Sequence, residues 1–289
     1  MKKITKAVIP VAGMGTRFLP ITKSVAKEML PIVDKPTLSY IIDEAVASGI
    51  KDILLITSPY KKIIEDYFDV NYELEKRMEE KNKTVELEIL ESMKGKANIY
   101  FIRQGEPLGS GHAIKLAKTF IGNEPFAVLY GDDVMMSDVP ALKQLINTYE
   151  KYDCNVIGCL EVDKNIVNRY GIIDFENNET TKIKTIVEKP KVEDAPSNIA
   201  GLGRYIVKPE IFDELEKLSA GAGGEYQFTD AMMNLMRSQD FYACLLDATY
   251  YDTGNKLGYL KATIDYALLR EDIKEGLIEY LKEKVTEVK

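Results

Sequence analysis

Cysteine, histidine and net positive charge are all scarce in this 289-residue chain, and each scarcity narrows what it can be. The three cysteines, Cys154, Cys159 and Cys244, are odd in number and form no CxxC pair, which excludes a zinc framework and a disulfide scaffold. Cys154 and Cys159 lie in the apolar segment CNVIGCLEV and read as buried, inert thiols. The single histidine, His112, reads as a first-turn capping or packing residue, and nothing resembles a histidine triad. No apolar run approaches the ~20 residues that a membrane span requires. The opening MKKITKAVIPVAGMG lacks the long apolar stretch and cleavage site of a leader and reads as a lysine-flanked strand, so a cytoplasmic protein is expected. A net charge of −8 with a pI near 5.1 argues against a nucleic-acid or anionic-membrane surface.

What is present is an ordinary globular composition, 45% hydrophobic and 29% charged, without an internal repeat or low-complexity tract. The charge is unevenly spread. Residues 1–35 carry Lys2, Lys3, Lys6, Arg17, Lys23, Lys27 and Lys35 against only Glu28 and Asp34. The acidic balance does not exclude a phosphorylated small molecule, because binding depends on local charge, and the basic, glycine-bearing N-terminus is the feature to explain.

Short β-rich runs alternate with helical patterns. Residues 4–12, 52–57, 98–103 and 126–130 read as buried strands, and 37–49 and 111–120 as helices. Residues 60–96 form an insertion, charge-rich from 72 onward, expected as an exposed helical arm. Beyond Asp133 the texture changes, with a helix at 139–151 and strands at 155–163, 171–175, 182–188 and 203–207. Helices are expected at 229–239, 255–270 and 271–288. The pattern predicts an α/β fold: a Rossmann-like, mixed, mainly parallel central sheet with helices on both faces. We expect one domain over 1–289, built as a first half (1–135), a second half (136–260) and C-terminal helices (261–289).

Residues 12–36, AGMGTRFLPITKSVAKEMLPIVDKP, carry the strongest chemical signal. Two glycines after a buried strand let backbone approach a ligand and turn amides toward it. Arg17 supplies a planar fork and Lys27 a point charge. It is not a Walker A loop, since no GK[ST] follows, and Phe18 stands where GxGxxG needs its third glycine, which also argues against a nicotinamide-dependent dehydrogenase. Further on, QGEPLGSGHA (104–113) is a loop entering a helix, Gly131-Asp132-Asp133 ends a strand, Val187-Glu188-Lys189-Pro190 stands at another strand end, and GGEYQFTDAM spans 223–232.

In this order the motifs resemble those of the sugar-1-phosphate nucleotidylyltransferases over residues 4–259, and KEMLP and the insertion favour the branch that joins UTP to glucose 1-phosphate. The resemblance implies transfer of UMP from UTP to α-D-glucose 1-phosphate, giving UDP-glucose and pyrophosphate. It implies catalytic roles for Arg17, Lys27 and Lys189. Uracil contacts fall to Gln104, Gly109, the Glu28 side chain and the backbone of Ala12 and Gly13, with Gly15 and Thr16 also binding substrate. Gly171 and Glu188 fall to glucose, and Asp132 with Asp252 to Mg²⁺; Asp133 is an alternative to Asp132, since the register of a GDD triplet is ambiguous. A relative using dTTP or another hexose 1-phosphate, and a catalytically silent nucleotide-sugar sensor, are the alternatives. The family also implies a homodimer or homotetramer.

Overall fold

The computed structural model describes residues 1–177, 180–221 and 224–287; Gly223 of the fifth motif and Val288 of the expected last helix lie outside them. Strand β1 (Lys6–Pro10) runs into a loop of short helical turns and a small ribbon, β2 (Pro31–Ile32) with β3 (Lys35–Pro36). Helix α1 (Thr37–Ala47) returns the chain to β4 (Asp52–Thr57). The insertion folds as α2 (Lys62–Phe68), α3 (Tyr72–Glu80) and α4 (Thr84–Met93), and neither α3 nor α4 has a buried residue, as expected of a charged arm. Next come β5 (Asn98–Arg103), α5 (Ser110–Lys115), α6 (Lys118–Ile121), β6 (Phe126–Leu129) and β7 (Asp133–Met136). The second half contains α7 (Ala141–Tyr152), β8 (Asn155–Glu161), β9 (Gly171–Phe175), β10 (Ile183–Glu188) and β11 (Ile199–Val207). It closes with α8 (Ile211–Lys217), α9 (Phe228–Leu235), β12 (Phe241–Leu245), β13 (Thr249–Asp252), α10 (Lys256–Leu268) and α11 (Lys274–Glu287).

Among the described residues nine strands form one mixed sheet, β10-β9-β11-β6-β1-β4-β5, with β8 paired to β11 and β12 to β8. β1, β4, β5 and β6 are parallel, while β11 lies antiparallel to β6, β8 and β9 and so joins the two halves of the chain. Alternate residues of each central strand enter opposite layers. Ala7 and Ile9, Ile53 and Leu55 pack with Leu38, Ile41 and Leu145 of α1 and α7, whereas Val8, Leu54 and Ile56 pack with Ile114, Phe212 and Phe228 of α5, α8 and α9. Burial on both faces explains why these strands read as continuous apolar runs. The expected α/β fold with helices on both faces is the one observed.

Several elements differ from the sequence reading. The helix expected at 111–120 divides, because Leu116 and Ala117 bond three residues back, to Ala113 and Ile114, and tighten one turn. β11 starts four residues before the expected 203–207, its pattern diluted by Gly201 and Gly203. β7, β12, β13 and α8 were not anticipated.

A charged pair crosses the core. Arg204 of β11 is 0% exposed; its Nε and Nη2 donate to the two Glu44 carboxylate oxygens of α1 at 2.8 and 2.6 Å, and Nη2 also donates to the Asp133 carbonyl at 2.8 Å. Glu44 Oε1 further accepts from the Leu142 amide at the start of α7 (2.9 Å). One ion pair thus ties α1, β7, β11 and α7 together. Removing one partner strands a charge in the interior, so Arg204→Ala is expected to cost about 3–5 kcal/mol in urea unfolding. Arg77→Ala, which breaks the exposed Arg77–Glu73 pair of α3, should leave the unfolding midpoint unchanged.

Candidate active site

In an open sheet of this order, ligands sit beyond the carboxyl ends of the strands where neighbouring connections diverge. Here that place lies beyond β1 and β6, and the loop at 11–15 and the GDD triplet both stand there. The first loop turns at Gly15, whose φ of +66° is left-handed, and a Cβ there would come within 3.1 Å of Lys27 Cβ. Phe18 N and Thr22 Oγ1 both donate to the Gly15 carbonyl (3.0 and 2.8 Å), fixing the turn. Arg17 and Thr16 are exposed on it, and Arg17 has no ion pair among the described residues.

Lys27 lies under this loop, its Nζ 2.5 Å from Asp132 Oδ2. Burial works against its charge, but Asp132, Glu28 and Asp133 outweigh that and hold the ammonium above its ordinary pKa. Glu28, expected to meet the base, is 1% exposed and receives Lys61 Nζ on both oxygens, at 2.8 and 2.6 Å. Burial pushes Glu28 up and Lys61 down, each toward its neutral form. The Glu28 carboxylate therefore forms the floor of the site with Lys61, a residue the sequence reading missed because it is one lysine among many at the start of a charged insertion.

The two acids nominated for a metal converge. β13 pairs with β7 in antiparallel register, Asp252 opposite Asp133. Thr253 donates through both N and Oγ1 to the Asp132 carbonyl (2.9 and 2.7 Å), and a Cβ at Gly254 would collide with Asp132 Oδ2 and lie 2.9 Å from Asp252 Oδ1. Asn255 Nδ2 and the Gly254 amide each donate to the Asp252 carboxylate at 2.9 Å and orient it. Asp133 is turned elsewhere: its Oδ1 accepts from Tyr250 Oη (2.8 Å), and burial with the adjacent Asp132 charge pushes its pKa up to about 7. That arrangement favours Asp132 over Asp133 as the member of the pair. Among the described residues no cluster of three or more His, Cys, Asp or Glu suits a metal ion, so these two carboxylates make at most half a coordination shell.

A cleft of about 250 Å³ opens beside the first loop, lined by Ala12, Met14, Lys61, Gln104 and Pro107 among others. Gln104 follows β5, and Gly109 (φ +98°) enters α5. A Cβ at Gly109 would lie 2.6 Å from the Tyr226 carbonyl, because residues 226–228 grip this loop: Tyr226 N donates to Leu108 O, Gly111 N to Tyr226 O, both at 2.8 Å, and Phe228 N to Ser110 Oγ at 3.1 Å. The second and fifth sequence motifs are thus one interlocked unit. A second cavity, about 340 Å³ between α1 and the insertion, holds none of the site residues.

On the far side, Glu188 pairs with Gly171 across β10 and β9, and a Cβ at Gly171 would sit 3.1 Å from Glu188 Oε2. Lys189, with φ +44°, is exposed and pairs with Glu188 at 3.1 Å. Its amide donates to Tyr170 O (2.9 Å), and burial together with the Asp252 charge raises the Tyr170 phenol.

Residues 6–268 match the family described as nucleotidyl transferase, and the chain belongs to that family. It is 52% identical over 285 residues to a UTP–glucose-1-phosphate uridylyltransferase of Staphylococcus haemolyticus, covering 98% of this chain and 99% of the relative. Among solved structures it resembles a UTP-bound UGPase from Acinetobacter baumannii, with TM-score 0.90, 36% identity and coverage of 97% and 99%. It also resembles a UDP-glucose pyrophosphorylase complexed with UDP-glucose, with TM-score 0.83, 40% identity and coverage of 92% and 100%.

The buried Glu28–Lys61 pair carries a stability prediction. Lys61→Met leaves Glu28 sealed without its cation and should cost about 3–5 kcal/mol in urea unfolding. Lys27→Met, whose partner Asp132 is reached by solvent, should cost less, and the double change Glu28→Gln with Lys61→Met should recover part of the loss.

Proposed function

We propose that this chain transfers UMP from UTP to α-D-glucose 1-phosphate, giving UDP-glucose and pyrophosphate. The observation that carries the reading is the convergence of Asp132, Asp252 and Lys27 beside a glycine-rich loop that exposes Arg17. Relatives at about half identity over nearly the full chain bear the name of that activity. The continuous sheet supports reading the chain as one domain with a nucleotide half and a sugar half.

The sugar phosphate arrives already ionised, so no general base is required. One of its oxygens attacks the α-phosphorus of UTP, the bond from that phosphorus to the bridging oxygen breaks, and pyrophosphate leaves with the electron pair. The reaction is then one of approximation and charge stabilisation. Arg17, which has no ion pair among the described residues, meets the triphosphate and the departing pyrophosphate. Lys27 exchanges Asp132 for phosphate oxygens, and Lys189 exchanges Glu188 for the attacking phosphate. Ala12, Gly13, Gly109 and Gln104 face the base, Gly15 and Thr16 line the nucleotide, and Gly171 and Glu188 hold glucose.

Two hard carboxylate oxygen donors, joined by no third His, Cys, Asp or Glu among the described residues, fit Mg²⁺ held by Asp132 and Asp252 once Lys27 gives way. That ion supplies positive charge to the triphosphate. In-line attack inverts configuration at phosphorus and leaves the anomeric C–O bond intact. A homo-oligomer belongs to the same reading, with exposed Leu257, Leu260 and Leu269 near the C-terminus available to a second copy.

Pyrophosphate release, measured with Mg²⁺, glucose 1-phosphate and each nucleotide separately, should be greatest with UTP. Release with dTTP but not UTP, or none with any nucleotide, would overturn the proposal. Asp132→Asn should lower kcat by at least about a hundredfold while the melting temperature stays near wild type.

A further inference from the structure

Gln104 is 4% exposed, and its backbone amide donates to Thr57 O at 2.8 Å. Its side-chain Nε2 lies 3.3 Å from the Gly109 carbonyl oxygen and 2.9 Å from His112 Nδ1. A carbonyl oxygen only accepts, so the end of the amide facing Gly109 is the NH₂. Its second hydrogen goes to His112, whose Nδ1 is then the lone-pair nitrogen, with the ring proton on Nε2. The hold from Gly109 is long; the one from His112 is the shorter. Both partners sit on the same turn, Gly109 capping α5 and His112 within its first turn.

That leaves Gln104 Oε1, which accepts from no group among the described residues. Among the described residues no sealed side-chain oxygen or nitrogen lacks a partner, so Oε1 opens to the cleft that Gln104 lines with Ala12 and Pro107. Uracil presents N3–H as a donor between two carbonyls, whereas cytosine presents a bare N3 lone pair beside an amino group. An amide shown oxygen-first accepts from uracil N3–H and repels the cytosine lone pair. Rotated by half a turn, the same amide would donate to cytosine.

We infer that His112 is a positioning residue for base choice: by binding Gln104 Nε2 it holds the amide oxygen-first toward the base and so selects uracil over cytosine. The inference rests on the reading that the base lies against Gln104. It replaces the expectation that His112 merely caps or packs, although its ring does stand 6.4 Å from that of Tyr226.

Two substitutions separate the roles. His112→Phe keeps a ring against Tyr226 and loses the acceptor; His112→Asn loses the ring and keeps an acceptor near the Nδ1 position. The measurement is the ratio of kcat/KM for UTP over CTP, with KM and kcat for UTP resolved separately. His112→Phe is expected to lower the ratio about fivefold to tenfold through a raised KM for UTP, with kcat little changed. His112→Asn should keep the ratio within about twofold of wild type, the error of such a comparison being small beside one hydrogen bond. A wild-type ratio in His112→Phe, or a lost ratio in His112→Asn, overturns the inference. Should His112→Phe fail to fold, His112→Ala takes its place with the same expected loss. Gln104→Ala distinguishes the premise. If it leaves the ratio intact, the base does not lie against Gln104 and both readings fall. If it lowers the ratio while His112→Phe does not, only the role of His112 falls.

Discussion

Two carboxylates held side by side against their mutual repulsion are the constraint on which the rest of this structure depends. Asp132 stands in the turn between β6 and β7, and Asp252 ends a short strand from near the C-terminus. The β7–β13 ribbon brings them together, Thr253 locks onto the Asp132 carbonyl, and Asn255 and the Gly254 amide aim Asp252. Behind them the buried Arg204–Glu44 pair grips the carbonyl of Asp133 and ties the GDD turn to α1 and α7. Like charges in one cleft are tolerable only with a cation at hand. Lys27 supplies one from the loop; the proposed substrate, with its accompanying dication, supplies the rest.

The basic N-terminus divides its charges between architecture and chemistry. Lys6 pairs with Glu124 and Lys35 with Asp43, so those two serve the fold. Lys27 rests on Asp132, and Arg17 stands exposed without an ion pair among the described residues. Beyond residue 35, Lys61 neutralises Glu28 below the loop, and Lys189 brings a cation from the second half. A net charge of −8 therefore describes the outer surface, while the cleft keeps its own balance.

The parts legible in the sequence were those whose burial leaves a pattern. Strand 52–57 matches its observed bounds as a buried, unbroken β-rich run; 98–103 matches too, but as the exposed edge strand with no buried residue, legible from its β-rich composition and not from the burial expected of it. The first loop was legible because its glycines and cations must stand at fixed spacing. The ribbon was not: β7 and β13 are four residues each, hold the polar Asp133 and Asp252, and each pairs with a strand more than a hundred residues away in the chain. Glu28 was read as a base contact, yet its burial against Lys61 depends on a partner 33 residues away that carries no local signal. His112 was dismissed on sound local grounds, and only the fold shows it beside Gln104. The half-formed acidic site, by contrast, was foreseen as a pair, and the geometry favours Asp132 because Asp133 is engaged by Tyr250.

The central claim is that Asp132 and Asp252 form half a cation site that the nucleotide phosphates complete. Mn²⁺ binding followed by electron paramagnetic resonance, with and without UTP, tests it most directly. Weak binding to the free protein, tight binding once UTP is added, and loss of that tight binding in the Asp132→Asn, Asp252→Asn double variant is the predicted result. Tight binding without nucleotide, or a UTP-dependent site that survives the double substitution, would contradict it.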